Sequence, residues 1–577
     1  MRLLIILITI SLSVFGCKDY SWEESYKLAA SRSIVPEVDL VLVPEPFSNL
    51  DDEWIDVEKE TVYKKEKLSK LLRTYGIGWS DFITIYKDKI KDRGNDIIFS
   101  GKGTTHATNY NYDANIPILF YGDKYVNNGI YQDTIYQQHI VPTVAELLES
   151  PVPNSVKLKS LSKILKKNSK PEIIVTIVID QGGIQLYRAH NDSYPNIKKL
   201  MHNSAYFPNA MVGHIDAHTA VGHVAIGTGA FPNEHEIIAN DRIYYKSINS
   251  NLTSVAEPIY QLPNGNISPS DMKSPTFADV WDQFNDNIPV IVSQCYAVRA
   301  AIGMAGHGSD YLYSPSFGYE SKTSIVADKD FVYWLTKPTL SWTTHPGLYQ
   351  LPDIANNFAL YPFHSSRNPE GWDGFVPNSL DKMVKEFHRS VGNPTQSMLE
   401  GELIRSVIQK EIIDSGKSKD GYTDLVYVTF KATDATGHTH GWESEEAREV
   451  LEETDRQVGL IIQMLRNHYQ EDFMLILTAD HGAAPLIEFS GGRHMTYDRL
   501  LSEIQSLIPI ESRNSNSLVN FYTSGQISLN KETMKIFGIT EYDVIKRIKS
   551  IEIDKKLFFR EVYSANELRK LDKNENK

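Results

Sequence analysis

Short apolar runs rich in valine and isoleucine alternate along the chain with amphipathic stretches. The runs at 38–43, 116–121, 173–179, 290–293, 425–430 and 474–478 are continuous rather than alternating. That is the pattern of strands buried on both faces of a parallel sheet. Residues 205–211 read as a further strand, and 142–148, 220–228 and 445–466 carry apolar residues at helical spacing. The alternation predicts an α/β fold, a mainly parallel sheet sandwiched by helices. The stretch 241–420 is aromatic, rich in proline and asparagine and poorly periodic, so it reads as a large insertion forming a substrate-binding cap. Lysine- and serine-rich residues 157–170 read as a linker, and the charged tail 566–577 as frayed. No internal repeat is visible.

Composition narrows the function classes. The chain has 577 residues, of which 41% are hydrophobic and 23% charged. These are ordinary values for a folded protein and exclude a mainly disordered or fibrous one. With 59 Lys+Arg against 73 Asp+Glu, the net charge of −14 excludes a general nucleic-acid coat. The two cysteines, Cys17 and Cys295, exclude a disulfide framework. Residues 1–17 combine a positive start with a short apolar run ending in Val14-Phe15-Gly16-Cys17, which resembles a bacterial lipoprotein cleavage box. The expectation is an exported protein tethered to a bacterial membrane through lipidated Cys17, in the periplasm or at the cell surface. An ordinary secretory signal is the alternative. No later segment approaches the ~20 apolar residues of a membrane span, and no protein partner is readable.

Candidate chemistry gathers at the ends of strands, where open α/β sheets place their ligands. Run 173–179 ends in Asp180. Run 425–430 leads into Asp434-Ala-Thr-Gly-His438, and run 474–478 into Ala479-Asp480-His481-Gly482. A lone strand-end aspartate is an ordinary cap or turn residue; three such sites, two of them pairing Asp with His, suggest metal ligation. Mixed carboxylate and imidazole donors suit zinc and related transition metals better than calcium. Thr219, in His218-Thr219-Ala-Val-Gly-His223, opens a helix-like run. Alone it reads as a helix cap. Beside a metal cluster it becomes a candidate nucleophile, since a bound metal lowers the pKa of a hydroxyl.

These segments resemble the alkaline phosphatase superfamily, most nearly the bacterial single-threonine alkaline phosphatases and related type I phosphodiesterases and nucleotide pyrophosphatases. The matching residues are Val178-Ile-Asp180-Gln, Thr219-Ala-Val-Gly-His223, Ala239-Asn240-Asp, Thr433-Asp434-Ala-Thr-Gly-His438 and Thr478-Ala-Asp480-His481-Gly482. The order differs from the family's. Val38-Asp-Leu-Val-Leu-Val-Pro-Glu-Pro46, Gly103-Thr-Thr-His106 and His139-Ile-Val-Pro-Thr-Val resemble pieces that follow the Asp-His-Gly motif in the family. Residues 24–160 thus look like the family's C-terminal part moved to the front, a circular permutation. Residues 161–240 would carry the first ligand and the nucleophile, and 421–577 the remaining ligands.

The resemblance implies two zinc ions, with manganese or iron as alternatives. One would be held by Asp180, Thr219, Asp480 and His481, the other by Asp434, His438 and His106. Permutation selects His106 over His494, the histidine a linear reading would choose; His214, His218, His235 and His440 are read as ordinary buried or loop histidines. Thr219 would form a phosphothreonine intermediate, with Asn240 and Arg299 binding the phosphate. Single-threonine monoesterases have a lysine two residues before that arginine, and here the position is Ala297. The expected substrate is a small-molecule phosphate monoester. A phosphodiesterase or nucleotide pyrophosphatase, or a metal-binding lipoprotein that has lost turnover, are the alternatives.

Overall fold

A computed structural model describes residues 22–50, 58–166, 170–248, 251–260, 269–306, 311–314, 332–335 and 392–575. Among them, nine strands form the larger sheet. Their order is Val332–Leu335, Tyr311–Ser314, Ile291–Gln294, Asp424–Phe430, Ile173–Ile179, Phe473–Thr478, Asn115–Tyr121, Ala205–Met211 and Gly129–Ile130. The first six run parallel, whereas Asn115–Tyr121 is antiparallel to both its neighbours.

The central strand Ile173–Ile179 is buried along its whole length, which explains its unbroken apolar sequence. Ile174 and Val178 face a cluster that includes residues of the helices Ile140–Leu148 and Thr219–Thr228. Ile173, Val175, Ile177 and Ile179 face the opposite cluster, with Val458 and Leu465 of the helix Glu445–Tyr469 and Ile404 of Pro394–Val407. Each such side chain contributes roughly 1.5–3 kcal/mol on burial. The expected helix-covered sheet is present.

The run at 38–43 forms a strand, Leu40–Pro44, but not in the parallel sheet. It lies in a second, six-stranded sheet, antiparallel to Gln526–Leu529 and Phe559–Ser564. Leu40 and Leu42 face one apolar cluster, Val41 and Val43 another. Burial on both faces produces a continuous apolar run in either sheet. The tail is a helix, Ala565–Glu575, rather than frayed. Leu568 is buried, and Arg569 donates to the carbonyls of Val35, Pro36 and Val38. The stretch 241–420 is interleaved with both sheets. It supplies the hairpin of Asp241–Ile248 and Asn251–Pro258 to the smaller one and Ile291–Gln294 to the larger. Residues 336–391 of the expected cap, and the signal region 1–17, lie outside the described residues. Within the expected linker, Leu161 and Ile164 are buried in the main core. Among the described residues, no helix is long and apolar enough to cross a membrane.

Register places the site. Phe430 pairs with Ile179 and Thr478 with Val178, so Asp180, Lys431 and Asp480 leave three adjacent strands at one edge.

Candidate active site

Three carboxylates and three imidazoles converge at that edge. The ligand atoms of Asp180, Asp480 and His481 lie within 4.8 Å of one another, as do those of His106, Asp434 and His481. His438 joins the second group, its Nε2 3.3 Å from Asp434 Oδ1 and 3.2 Å from His106 Nε2. Each ring is oriented by a backbone carbonyl that takes the proton of Nδ1. His106 donates to Ala217 at 2.5 Å, His438 to Thr104 at 2.8 Å and His481 to Gly482 at 2.9 Å. All three Nε2 atoms therefore turn inward, an arrangement typical of metal-ligating histidines.

Asp180 Oδ1, Asp480 Oδ2 and His481 Nε2 are fully buried and make no hydrogen bond. Buried acceptors left this way are costly unless a further group satisfies them. The mixed donor set fits a divalent transition metal. Electrostatics agree with a shared charged site. Burial, and then the Asp480 charge, push Asp180 well above the usual carboxylate range. Burial acts the same way on Asp434, but Lys431 and His438 outweigh it and hold that carboxyl low. Burial opposes charge on His481, yet Asp480 raises it to about 9. His106 is pushed down by burial and by His481. Opposed shifts packed into one site are a mark of functional centres.

Thr219 opens the helix Thr219–Thr228 and is buried. Gly222 lets that helix approach Asp480, since a Cβ there would stand 2.7 Å from the Asp480 Cβ and carbonyl oxygen. Asn240 Oδ1 accepts the N–H of Ala220 at 3.0 Å, which leaves its amide nitrogen as a donor. Arg299 lies on the helix Val298–Ala305, half-buried, and its charge reaches both Asp241 and Lys431. Ala297 precedes that helix and brings no charge. His494 stands in a short strand paired with Asn49–Leu50, apart from both ligand groups. His218 Nδ1 meets Asp216 Oδ1. His214 and His235 are buried, and His440 Nδ1 meets Thr61 Oγ1 at 2.7 Å. Cys295 is buried, and burial pushes its thiol up, so it is no reactive thiolate.

Two site residues were not singled out by the sequence. Gln181 donates to Asp434 Oδ1 at 3.2 Å. Lys431 sends its ammonium to Asp180 Oδ2 at 2.8 Å, Asp434 Oδ2 at 2.6 Å and Thr219 Oγ1 at 2.9 Å. Its place directly after a strand, like that of Asp180, was the available signal.

The model of the type I phosphodiesterase / nucleotide pyrophosphatase family matches residues 174–535. Alkaline phosphatase PhoK of Sphingomonas sp is 27% identical over 336 residues, covering 55% of this chain and 56% of that protein. Alkaline phosphatase PafA of Elizabethkingia meningoseptica is 24% identical over 347 residues, covering 56% of this chain and 62% of that protein. Human ectonucleotide pyrophosphatase/phosphodiesterase family member 7 is 36% identical over 104 residues, 16% of this chain and 23% of that one. The aligned region thus spans less than two thirds of each of these relatives. The crystal structure of wild type PafA superposes with a TM-score of 0.49 at 17% identity, covering 67% of this chain and 77% of that one.

Proposed function

The chain belongs to the type I phosphodiesterase / nucleotide pyrophosphatase family, and from that premise we propose that it hydrolyses phosphoric esters, monoesters foremost, with Thr219 as nucleophile. One observation carries the reading. Thr219 Oγ1, at the N-terminus of a ten-residue helix, accepts from the Lys431 ammonium, which also meets Asp180 and Asp434, one carboxylate from each group of metal-ligand atoms. A helix N-terminus favours an arriving anion. The names of PhoK and PafA support the monoester reading.

Asp180, Asp480 and His481 would hold one divalent cation, and Asp434, His438 and His106 the other, zinc being the first choice for these donors. Bound cations lower the pKa of an alcohol or water and stabilise charge on the oxygens of a displacement. The bond from Thr219 Oγ1 to phosphorus forms as that to the leaving oxygen breaks; the hydroxyl proton passes to solvent, and the leaving oxygen takes one from solvent. Water then cleaves the phosphothreonine, releasing phosphate and restoring the hydroxyl. Asn240, through its amide nitrogen, and Arg299, through its guanidinium, would donate to the phosphoryl oxygens.

Phosphodiesterase or nucleotide pyrophosphatase activity is the second reading, favoured by the uncharged Ala297 and by the family match. The complete ligand set speaks against a binding protein without turnover. Permuted order also belongs to this proposal. The front segment supplies His106 and the strand Asn115–Tyr121 to the same centre, yet lies outside the matched residues. Export and attachment through Cys17 rest on the pattern of residues 1–17. The test is an acid quench of zinc-loaded protein during turnover, followed by peptide mapping. Phosphate on Thr219 is expected; turnover that persists in Thr219→Ala contradicts the reading.

A further inference from the structure

Lys431 is the least expected residue in the site. It follows the strand Asp424–Phe430 and precedes the helix Ala432–His440, and only 5% of its surface is exposed. Lysines are almost never this buried unless paired. The ammonium has three N–H donors and three partners: Asp180, Asp434 and Thr219. A counter-ion for the two carboxylates would account for two of these. The third partner is the hydroxyl of the proposed nucleophile, a contact that charge balance between carboxylates does not require.

Resting on the reading of Thr219 as the attacking group, we propose that Lys431 is a catalytic cation of this site, holding Thr219 Oγ1 toward the substrate and placing its charge beside the phosphoryl group bound there. Charge supports it. With two divalent cations bound, Asp180, Asp434 and Asp480 would together carry three negative charges, which the cations exceed by one. Lys431 and Arg299 add two more. The total then matches a dianionic phosphoryl group together with an ionised Thr219 oxygen, the charge of a monoester in transfer. A diester, with one charge fewer, gains less from the extra cation. Ala297 contributes nothing to this balance, so the strand end at 431 supplies what the start of the helix Val298–Ala305 does not.

The test compares full-length parent, Lys431→Met and Lys431→Arg, each loaded with zinc. Three readouts are taken: bound metal by mass spectrometry, inorganic phosphate affinity by calorimetry, and kcat/KM on an aryl phosphate monoester and its methyl diester. Lys431→Met is expected to keep the parent's metal content, to bind phosphate at least ~30-fold more weakly, and to lose ~10²-fold or more on the monoester but ~10-fold or less on the diester. Lys431→Arg should recover part of both losses. Unchanged phosphate affinity and an unchanged monoester-to-diester ratio in Lys431→Met overturn the proposal. So does loss of metal in both variants, which makes Lys431 a structural counter-ion. If the parent hydrolyses neither ester, the functional reading fails, and phosphate affinity in Lys431→Met still decides the role of the lysine.

Discussion

The Nε2 atoms of His106 and His438 face each other at 3.2 Å, although 332 positions separate the two residues in the chain. Both rings are fixed by backbone carbonyls at Nδ1, so two lone pairs point at one place beside Asp434. A shared cation resolves that arrangement. His106→Ala is therefore expected to lose about one equivalent of bound metal, and to lose more activity than the ~10–100-fold that follows removal of a ligand's supporting hydrogen bond. His494→Ala should keep both. Metal analysis of the two variants checks this, and the reverse pattern contradicts the ligand assignment.

Gly222 sits inside the helix that opens with Thr219, where alanine would ordinarily stabilise by up to ~1 kcal/mol. Here the added Cβ meets Asp480 at 2.7 Å, and overpacking of that kind costs ~1–3 kcal/mol. Gly222→Ala should lower the thermal midpoint and reduce kcat/KM by about 10²-fold, because it pushes the nucleophile away from Asp480. A raised midpoint with full activity contradicts the close approach.

Much of this site was legible because strand ends are fixed by the apolar runs before them. Asp180, Asp480 and the Asp434–His438 pair each follow a continuous run of Val, Ile, Leu or Phe. Lys431 was not legible, because a lysine after a strand reads as a solvated cation; Asp180, at the end of the neighbouring strand, and Asp434, three residues on, make its burial tolerable. The strand Leu40–Pro44 was found but placed in the wrong sheet, since sequence records burial on two faces and not the direction of the neighbour. The small sheet of Lys59–Lys64, Asp96–Gly101 and Ile90–Arg93 was missed altogether. Two of its short strands are rich in charge, and among its apolar residues Tyr63, Ile97, Ile98 and Phe99 are buried. The tail helix depends on Arg569 reaching carbonyls at 35–38, far away in sequence.

A pH dependence of stability follows from Glu443. It is buried, and neither of its oxygens accepts a hydrogen bond from another residue. Burial pushes its carboxyl up to about 8, whereas an unfolded glutamate titrates near ~4.3. Between these values the folded chain holds a proton that the unfolded chain releases. The corresponding stability is present below the unfolded value and is lost as pH rises toward about 8. Glu443→Gln should match the parent near the unfolded value and exceed it above pH ~8, by on the order of 5 kcal/mol. Urea unfolding of the metal-free chain at both ends of that range measures it. A pH-independent difference contradicts the assignment.

The most direct test of the whole account is a matched pair of rates. Zinc-loaded protein is assayed for kcat/KM on a nitrophenyl phosphate monoester and on the corresponding methyl diester, with Thr219→Ala alongside. A monoester preference of ~10²-fold or more, about 2.7 kcal/mol of transition-state discrimination, abolished in Thr219→Ala, is the predicted result. Hydrolysis of both esters no faster than by the Thr219→Ala protein would contradict it.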